Sequence, residues 1–368
     1  WIHLNNLLLK NLLRGLYYNV TGLKTPKDWE PFSKLSIKSS NSNWVLDTIR
    51  TEMIDVCKEI KVPVINNRYV HKLTNQSIFY TSKYEVLDGF PNTRNRIAFP
   101  YYHGDPRRDL RFKRMLDALQ INHKNISKIQ VSQSYIENIV LNTGIDPKKV
   151  HRIPISIELD KFNYRSEGYK DIVRKDLNIP RSKILIGSFQ KDGNGWGAGE
   201  EPKLIKGPDI FLEVIKALKP HYDDIAVLLT GPARGFVMKG LDEINVDYYH
   251  YNLEDYSEIS NYYRALDLYL ITAREEGGPR AVLESMASGV PLVTTRVGQA
   301  MDLVEHKVNG WIVDVEDVDG LVDCCKEVLE YQFDSESLLS NARRTAELNS
   351  YANQIPLWQD FMKDFVEV

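Results

Sequence analysis

The chain has 368 residues, 43% of them hydrophobic and 10% aromatic, and a formal net charge of −3. At about 150 residues per domain this length suggests two domains, and the apolar content excludes disorder over most of the chain. No apolar run reaches the ~20 residues that a membrane-spanning helix needs. The cysteines, Cys57, Cys324 and Cys325, lack CxxC spacing. This excludes a disulfide framework and a zinc site and indicates a reducing, cytoplasmic setting.

Charge is divided unevenly along the chain. Residues 1–150 carry a formal charge of +10, and residues 151–368 carry −13. A basic first half and an acidic second half suggest two domains with different partners. A basic face attracts phosphates, anionic lipids or nucleic acid. Nucleic acid is disfavoured because the first half lacks interleaved aromatic residues and the known binding modules.

Apolar spacing predicts alternating helices and strands in the first half. The chain opens with a helix over Leu4–Tyr18, which polar residues interrupt too often for a secretory signal. A loop over residues 19–42 and an amphipathic helix over Val45–Ile60 follow. The predicted strands beyond them are Val62–Ile65, Ser77–Tyr80, Ile97–Tyr102 and Lys128–Val131, and the predicted helices are Arg111–Ile121 and Tyr135–Asn142. Such alternation indicates a parallel sheet with crossover helices.

The same alternation returns after an extended linker over residues 153–162. The predicted strands are 184–189, 225–230, 247–251, 268–272, 291–295 and 311–313, and the predicted helices are 208–218, 259–266, 279–288 and 318–330. The tail is predicted to be helical, with a bend near residues 349–352. A flexible loop with alternate glycines, residues 193–199, matches neither GxGxxG nor a P-loop. This disfavours a nicotinamide dehydrogenase or an ATPase.

The most informative segment is REEGGPRAVLESMASGVP, residues 274–291. Gly277 and Gly278 permit a tight turn and a close backbone approach to a ligand, and Pro279 suits the first position of a helix. Because the turn follows a predicted strand, a helix N-terminus faces the carboxyl end of a parallel strand. Sheets of this kind bind ligands there, and helix dipoles hold phosphate.

Two carboxylates flank this turn, Glu276 in the loop and Glu284 about one helical turn below the N-terminus. The run EGGPRAVLESMASGVP resembles the E-x7-E signature of retaining glycosyltransferases with the GT-B fold, above all glycosyltransferase family 4 (glycosyl transferases group 1). Further similar segments are 131–162, 206–218, 263–279 and 289–313. The resemblance covers roughly residues 95–365, and several motifs in order are far more specific than one.

The resemblance implies an α/β protein of GT-B architecture, with two Rossmann-like domains whose parallel sheets face each other across a cleft. It places an N-terminal, acceptor-side domain at residues 1–157, completed by a return helix at 350–368. A C-terminal domain that binds the nucleotide sugar is placed at 158–349. The family opens with a strand and a glycine-rich loop before its first helix, and no such strand is visible here. We therefore expect a shortened N-terminal domain or an opening strand that precedes the chain.

The resemblance also implies roles for individual residues. Glu276, Lys206 and His103 are the predicted catalytic residues. Glu276 would lie near the donor sugar hydroxyls, with Glu275 as the alternative if the loop register differs by one. Lys206 would neutralise the leaving diphosphate. His103 would face the reacting sugar and the acceptor, and a packing histidine is the alternative.

The predicted donor-binding residues are Glu284, Lys191, Gly277, Gly278, Pro279, Arg234 and Gln299. Glu284 would bind the donor ribose, and Lys191 is the nearest substitute for the family's second basic residue. Arg234 would reach phosphate or base, or else be a loop arginine. Gln299 stands where the family has a second glycine, and would contact the donor or restrict the pocket.

The implied reaction is hexosyl transfer from a UDP- or GDP-linked sugar to a hydroxyl acceptor, with retention, by front-side substitution. Neither a cofactor nor a metal is expected, because no Asp-x-Asp occurs in a catalytic context. The basic stretch 107–116 favours an anionic or lipid-linked saccharide acceptor and peripheral contact with the inner membrane face. The alternatives are a GT-B phosphorylase or epimerase relative and a degenerate sugar-nucleotide-binding subunit without transfer activity.

Overall fold

The computed structural model describes residues 32–39, 44–65, 75–84, 94–107, 109–164 and 168–367. Its strands are β1 Leu35–Lys38, β2 Val64–Ile65, β3 Ser77–Tyr80, β4 Arg96–Pro100, β5 Lys128–Val131, β6 Val150–Arg152, β7 Ile184–Ser188, β8 Ile225–Thr230, β9 Asp247–Tyr251, β10 Leu268–Ile271, β11 Leu292–Thr295 and β12 Trp311–Val313. Its helices are α1 Trp44–Glu59, α2 Leu110–Asn122, α3 Ser134–Leu141, α4 Tyr169–Asp176, α5 Pro208–Leu218, α6 Gly235–Glu243, α7 Ile259–Arg264, α8 Arg280–Ser288, α9 Ala300–Leu303, α10 Val318–Leu329, α11 Ser335–Leu348 and α12 Tyr351–Met362.

These strands form two six-stranded sheets, and every pair of neighbouring strands is parallel. The first sheet has the order β2-β1-β3-β4-β5-β6, and the second has the order β12-β11-β10-β7-β8-β9. Strand β8 is buried at all of its positions, as expected for a parallel strand that helices cover on both faces. The predicted α/β class with two successive parallel sheets is confirmed.

Helix α5 shows how sequence periodicity builds the core beside the second sheet. Ile210, Phe211, Val214, Ile215 and Leu218 recur at helical spacing, and all five are buried. They pack with apolar side chains of β7, β8 and β10 in one core cluster. Burying a side chain of this size contributes about 1.5–3 kcal/mol relative to leaving it in water. This face therefore fixes α5, and with it the loop that precedes α5.

Helix α12 returns from the second sheet to the first. Residues Ile157 and Ser350 form a bridge where the chain passes between the two sheets. Beyond this crossing, Trp358 and Phe361 of α12 are buried together with Leu35 of the first sheet. The predicted bend near 349–352 is confirmed, because α11 ends at Leu348 and α12 begins at Tyr351. The domain limits at 157 and 349 stay predictions.

The prediction of a loop over residues 19–42 is wrong at its C-terminal end. Residues 35–38 form β1, which pairs with both β2 and β3. The run is short and lies among polar residues, so its strand character comes from pairing within the sheet rather than from a local pattern. A strand therefore precedes α1. The predicted helix Leu4–Tyr18 lies outside the described residues, so the expectation about the strand that opens the family's fold before its first helix stays a prediction.

Candidate active site

The candidate site lies where the second sheet reverses its strand order. Strands β7 and β10 are neighbours there, and the loops that follow them are residues 189–207 and 272–279. Open α/β sheets bind ligands at such points, because loops that leave in opposite directions open a crevice at the carboxyl ends of the strands. The strand order thus brings the turn at Lys206 next to the loop that contains Glu275 and Glu276.

Lys206 is held by the backbone of the neighbouring loop. Gly207, the next residue, has φ +66°, and a Cβ there would lie 1.9 Å from the Thr272 carbonyl oxygen. Only glycine fits this position without a shift. Thr272 Oγ1 donates a hydrogen bond to the Gly207 carbonyl oxygen at 2.8 Å. The turn is therefore fastened to the end of β10, and the Lys206 ammonium forms an ion pair with Glu276.

The two adjacent glutamates face different parts of the molecule. Glu276 pairs with Lys206, and these side chains are 13% and 20% exposed. Glu275 instead accepts a hydrogen bond from the Asp105 N–H at 3.3 Å, and its Oε1 lies 3.9 Å from His103 Nδ1. The geometry therefore favours Glu276 over Glu275 as the acid beside the predicted diphosphate lysine.

Three lysines gather on the loop after β7. Burial and the positive charge of Lys206 lower the pKa of Lys203, and the charge of Lys191 lowers it further, while Glu276 opposes the shift. Lys191 Nζ lies 4.0 Å from the ring centroid of Trp196. Lys203 was missed in the sequence, although its place three residues before Lys206 was a usable signal. An anion would relieve the repulsion between these neighbouring positive charges, so the three lysines are suited to bind an anionic ligand.

The glycines before α8 approach the first half of the molecule. A Cβ on Gly277 would lie 2.6 Å from Tyr102 Cβ, and one on Gly278 would lie 2.7 Å from Ile155 Cδ1. The sequence predicted that the backbone at these glycines would come close to a ligand, but in the structure it comes close to other residues of the protein. Pro279 is the N-cap residue of α8 rather than its first helical residue, so the helix begins one position later than predicted.

An arginine stands at the N-terminus of α8. Arg280 forms an ion pair with Glu52 of α1. Burial opposes the charge of Arg280, but the Glu52 carboxylate raises its pKa above the usual value. A cation is disfavoured at a helix N-terminus unless an anion accompanies it. Glu52 supplies that anion and joins α8 to the first half of the molecule.

Glu284 is buried inside α8, with 4% of its surface exposed. The Tyr256 hydroxyl donates to its Oε1 at 2.7 Å, and the Tyr263 hydroxyl donates to its Oε2 at 2.9 Å. Burial raises the pKa of Glu284, and the two hydroxyls oppose that rise. Each carboxylate oxygen has about two acceptor directions, so one on each remains for a ligand. The tyrosines, which sequence reasoning missed, orient this carboxylate.

His103 lies after β4, on the side of the first sheet. Burial and the positive charges of Lys83 and Lys206 lower its pKa to about 3, so the imidazole is neutral at pH 7. The Lys83 ammonium donates to the His103 carbonyl oxygen and lies 4.2 Å from the ring centroid of Tyr101. Burial lowers the pKa of Lys83 to about 7. The sequence did not reveal Lys83, because no local pattern marks a buried lysine.

Arg234 does not reach the crevice, so the predicted contact with phosphate or base is wrong and the alternative, a loop arginine, holds. Its guanidinium is buried and pairs with Asp192 through Nε at 2.9 Å and Nη2 at 3.0 Å. The other N–H groups donate to the carbonyl oxygens of Ser188 and Thr230 and to the Ser188 hydroxyl. All five donors of the guanidinium are therefore used. Arg234 anchors the loop after β7, and no N–H is left for a phosphate.

Gln299 is also used by the protein itself. It is fully buried, its Oε1 accepts from the Ile155 N–H at 3.0 Å, and its Nε2 donates to the Ile155 carbonyl oxygen at 3.4 Å. The predicted contact of Gln299 with a donor is thus replaced by a bridge to the segment that links the two sheets. A Cβ on the preceding Gly298 would lie 2.9 Å from the Glu276 carbonyl oxygen. The absence of a side chain at Gly298 therefore lets its backbone lie close to the turn that carries Glu276.

A known protein family is similar to the segment that carries most of these residues. Residues 198–331 match the family model described as glycosyl transferases group 1. Over this segment the chain is similar to the glycosyl transferases group 1. The matched residues contain Lys206, Glu276 and Glu284, and the resemblance inferred from the sequence is confirmed.

Curated proteins with similar sequences carry transferase names. The chain is 31% identical over 204 residues to the lipopolysaccharide core biosynthesis mannosyltransferase LpsB of Rhizobium meliloti, covering 53% of this chain and 51% of the relative. It is 24% identical over 193 residues to the UDP-Gal:alpha-D-GlcNAc-diphosphoundecaprenol alpha-1,3-galactosyltransferase of Escherichia coli, covering 50% and 46%. The chain therefore spans about half the length of these curated relatives.

Solved structures confirm the GT-B architecture over most of the chain. Anabaena HepE in complex with UDP-glucose superposes with a TM-score of 0.68 at 15% identity, over 90% of this chain and 98% of that chain. TarM of Staphylococcus aureus, in a complex with UDP, superposes with a TM-score of 0.62 at 14% identity, over 81% and 57%. Sequence identities this low show that the proteins share a fold, but they do not show that they share an activity.

Proposed function

We propose that this protein transfers a hexose, with retention, from a UDP- or GDP-linked sugar to a hydroxyl acceptor. The observation that carries the proposal is the ion pair of Lys206 with Glu276 at the carboxyl edge of the second sheet. The pair supports the proposal because the Lys206 ammonium can neutralise a leaving diphosphate and the Glu276 carboxylate can accept hydrogen bonds from sugar hydroxyls. The UDP and UDP-glucose complexes of Anabaena HepE, which has the same fold, support a nucleotide-linked donor.

In the proposed reaction, the bond from the anomeric carbon to the diphosphate oxygen breaks, and its electron pair leaves with the diphosphate. The acceptor hydroxyl oxygen bonds to the same face of the sugar, and its proton passes to the departing diphosphate oxygen. Lys206 and the nearby Lys203 neutralise the charge that grows on the leaving group. Catalysis is then largely positioning and charge stabilisation.

Two residues are proposed to orient the substrates. Glu284, held by Tyr256 and Tyr263, accepts hydrogen bonds from the ribose hydroxyls. His103 is neutral at pH 7 because its pKa is lowered, and a neutral imidazole both donates and accepts hydrogen bonds. His103 therefore orients a sugar or acceptor hydroxyl and does not supply a positive charge.

We propose that the reaction proceeds without a bound metal ion. Within residues 32–39, 44–65, 75–84, 94–107, 109–164 and 168–367, no group of three or more His, Cys, Asp or Glu side chains is placed to hold a metal. The three lysines carry the charge that would otherwise need a divalent cation. A transfer rate that collapses in a chelator and recovers with Mg²⁺ would contradict this.

The acceptor is proposed to be an anionic or lipid-linked saccharide reached at the membrane surface. Helix α2 exposes the apolar side chains of Leu110 (72%) and Ile121 (78%) near its two ends. The side chains of Arg111 and Lys113 on this helix are exposed as well, and they form surface ion pairs with Asp109 and Asp117. Exposed apolar and basic side chains on one helix suit an anionic lipid surface. Among the described residues no helix has the length and apolar character to cross a membrane.

Calorimetric titration with UDP and GDP tests the donor site. We expect one nucleotide to bind to the wild type and to lose at least tenfold in affinity in Glu284→Ala. Glu243→Ala, which removes an exposed glutamate at the end of α6, is the matched control and should bind as the wild type does. Transfer is then assayed with the sugars of the selected nucleotide. Binding without transfer to any tested acceptor would favour the degenerate subunit, and no binding by the folded protein would refute the proposal.

A further inference from the structure

The loop after β7 has a firmly anchored base. The carboxylate of Asp192 is paired with the buried Arg234, and Gly193 forms an antiparallel bridge with Pro202. A Cβ on Gly193 would lie 2.3 Å from the Ala233 carbonyl oxygen. The first leg of the loop therefore packs directly on the loop that precedes α6.

The second leg caps helix α6. The Ala198 carbonyl oxygen accepts from the Gly235 N–H at 2.7 Å, and the Gly199 carbonyl oxygen accepts from the Phe236 N–H at 3.0 Å. Two of the N–H groups that a helix N-terminus leaves without an intrahelical partner are thus satisfied by this loop. Both legs are fixed, and the freedom that remains belongs to the tip between them.

The tip presents a tryptophan between two unhindered glycines. A Cβ on Gly195 or Gly197 would meet nothing within 4 Å, so neither glycine is required by packing there. Trp196 between them is 60% exposed. Lys191 Nζ lies over its ring at 4.0 Å, and the charge of Lys191 also acts on Lys203 of the lysine cluster. An aromatic ring therefore lies beside Lys191, which is itself close enough to Lys203 to act on its charge.

We propose that Trp196 is a ligand-binding residue on which a ring of the nucleoside diphosphate sugar stacks, while Lys191 turns from that ring to the diphosphate. The proposal rests on the proposed function and deepens it. A diphosphate held by Lys203 and Lys206 brings its attached base or sugar beside the tip. Every such ring offers a face for stacking, and the loss of one aromatic platform weakens binding by about tenfold. The unhindered glycines let the indole adjust to the ligand.

Calorimetry with three probes tests this inference: UDP, UDP-glucose and inorganic pyrophosphate, with GDP and GDP-mannose if GDP is the nucleotide that binds. We expect Trp196→Ala to lose about tenfold in affinity for the nucleotide sugar, and Trp196→Phe to stay within about threefold. Pyrophosphate binding should not change, because the lysines remain. Tyr331→Ala, which removes an aromatic side chain that is 70% exposed and lies just after α10, is the control. Indole fluorescence of the wild type should shift on binding, and that shift should be absent in Trp196→Phe.

The affinities for the different probes distinguish the possible results. A loss for UDP and UDP-glucose alike identifies the base as the stacked ring, and a loss for UDP-glucose alone identifies the sugar. Wild-type binding with an unchanged Trp196→Ala affinity overturns the inference and leaves the proposed function standing. A wild type that binds none of the nucleotides refutes the proposed function, and the inference fails with it.

Discussion

Lys206 and Glu276 form the contact on which the proposed chemistry depends most. The ammonium reaches the carboxylate because Gly207 adopts φ +66° against the Thr272 carbonyl oxygen. In the absence of a ligand the acid is the lysine's counter-ion. A diphosphate brought to this point would compete for the same ammonium, so the pair is poised to exchange one anion for another.

We expect Lys206→Met to lower the transfer rate by about 10² to 10³, the usual effect of removing one charge-stabilising donor from a transition state. Steady-state rates with the preferred donor measure it, and thermal unfolding checks that the variant is folded. Lys216→Met, on the exposed side of α5, is the matched control. A rate within a few-fold of the wild type would remove Lys206 from the chemistry.

The lowered pKa of Lys83 predicts how the stability of the folded protein changes with pH. That pKa falls from 10.5 to about 7, so the unfolded chain binds this proton more tightly than the folded one. The wild type therefore loses stability as the pH falls from 10.5 to 7. Lys83→Met removes this loss, although it also removes the hydrogen bond to the His103 carbonyl oxygen, worth about 1 kcal/mol.

The stability that Lys83→Met adds should thus be largest at pH 7 and smaller at pH 10, by at most about 4 kcal/mol. Urea unfolding at both values measures the difference. Lys113→Met, whose lysine is 62% exposed, should show no such trend. An equal effect of Lys83→Met at both values would refute the lowered pKa.

Among the elements, the loop after β7 depends on a single buried ion pair. Arg234 and Asp192 are both at most 1% exposed, and the arginine also ties the loop to the ends of β7 and β8 through backbone carbonyl oxygens. This anchor lies at the base of the segment that carries Lys191 and Lys203. Its role is to position the lysines and not to contact a ligand.

We expect Arg234→Met to lower the free energy of unfolding by about 3–5 kcal/mol, because it leaves the Asp192 carboxylate buried and unpaired. The double variant Arg234→Met with Asp192→Leu should cost less than the sum of the two single variants. Chemical denaturation measures all three. Arg296→Met breaks the exposed pair with Asp314 and should cost no more than about 1 kcal/mol. If the free-energy cost of the double variant equals the sum of the costs of the two single variants, the prediction that Arg234 and Asp192 stabilise each other as a buried ion pair is wrong.

In the whole molecule, the two halves touch along the crevice. Ser132 Oγ donates to the Gly277 carbonyl oxygen at 2.6 Å, and the Ser134 N–H donates to Asp302 at 2.7 Å. Gln299 bridges to Ile155. These polar contacts, together with the Arg280–Glu52 ion pair, join the halves beside the turn that carries Glu276. Such a contact set can open and re-form when a donor enters.

We therefore expect Asp302→Ala to adopt a more open arrangement than the wild type. Small-angle scattering should give a larger radius of gyration for the variant, and a saturating donor should return it toward the wild-type value. Asp314→Ala, which removes an acid that is 83% exposed, is the control and should scatter as the wild type does. A variant that is indistinguishable from the wild type with and without donor would contradict closure.

The sequence alone identified the features that local chemistry determines. The alternation of elements, the E-x7-E spacing and the Lys206–Gly207 turn are written in neighbouring residues, since helix periodicity, caps and turn glycines act over a few positions. Adjacent strands of a parallel sheet then bring these local features to one edge. That is why Lys206 and Glu276 meet although 70 positions separate them.

Only the tertiary structure decided what the remaining side chains do. Arg234 and Gln299 have the residue types of ligand-binding side chains, but distant backbone groups consume their hydrogen bonds. Lys83 and Tyr263 gave no local signal, yet the fold buries them beside His103 and Glu284. Burial and partner choice depend on which distant segments pack together, and a loop arginine has the same local sequence whether its guanidinium faces water or a buried aspartate. The sequence thus determined where the candidate site lies, and packing determined which of its side chains are free to contact a ligand.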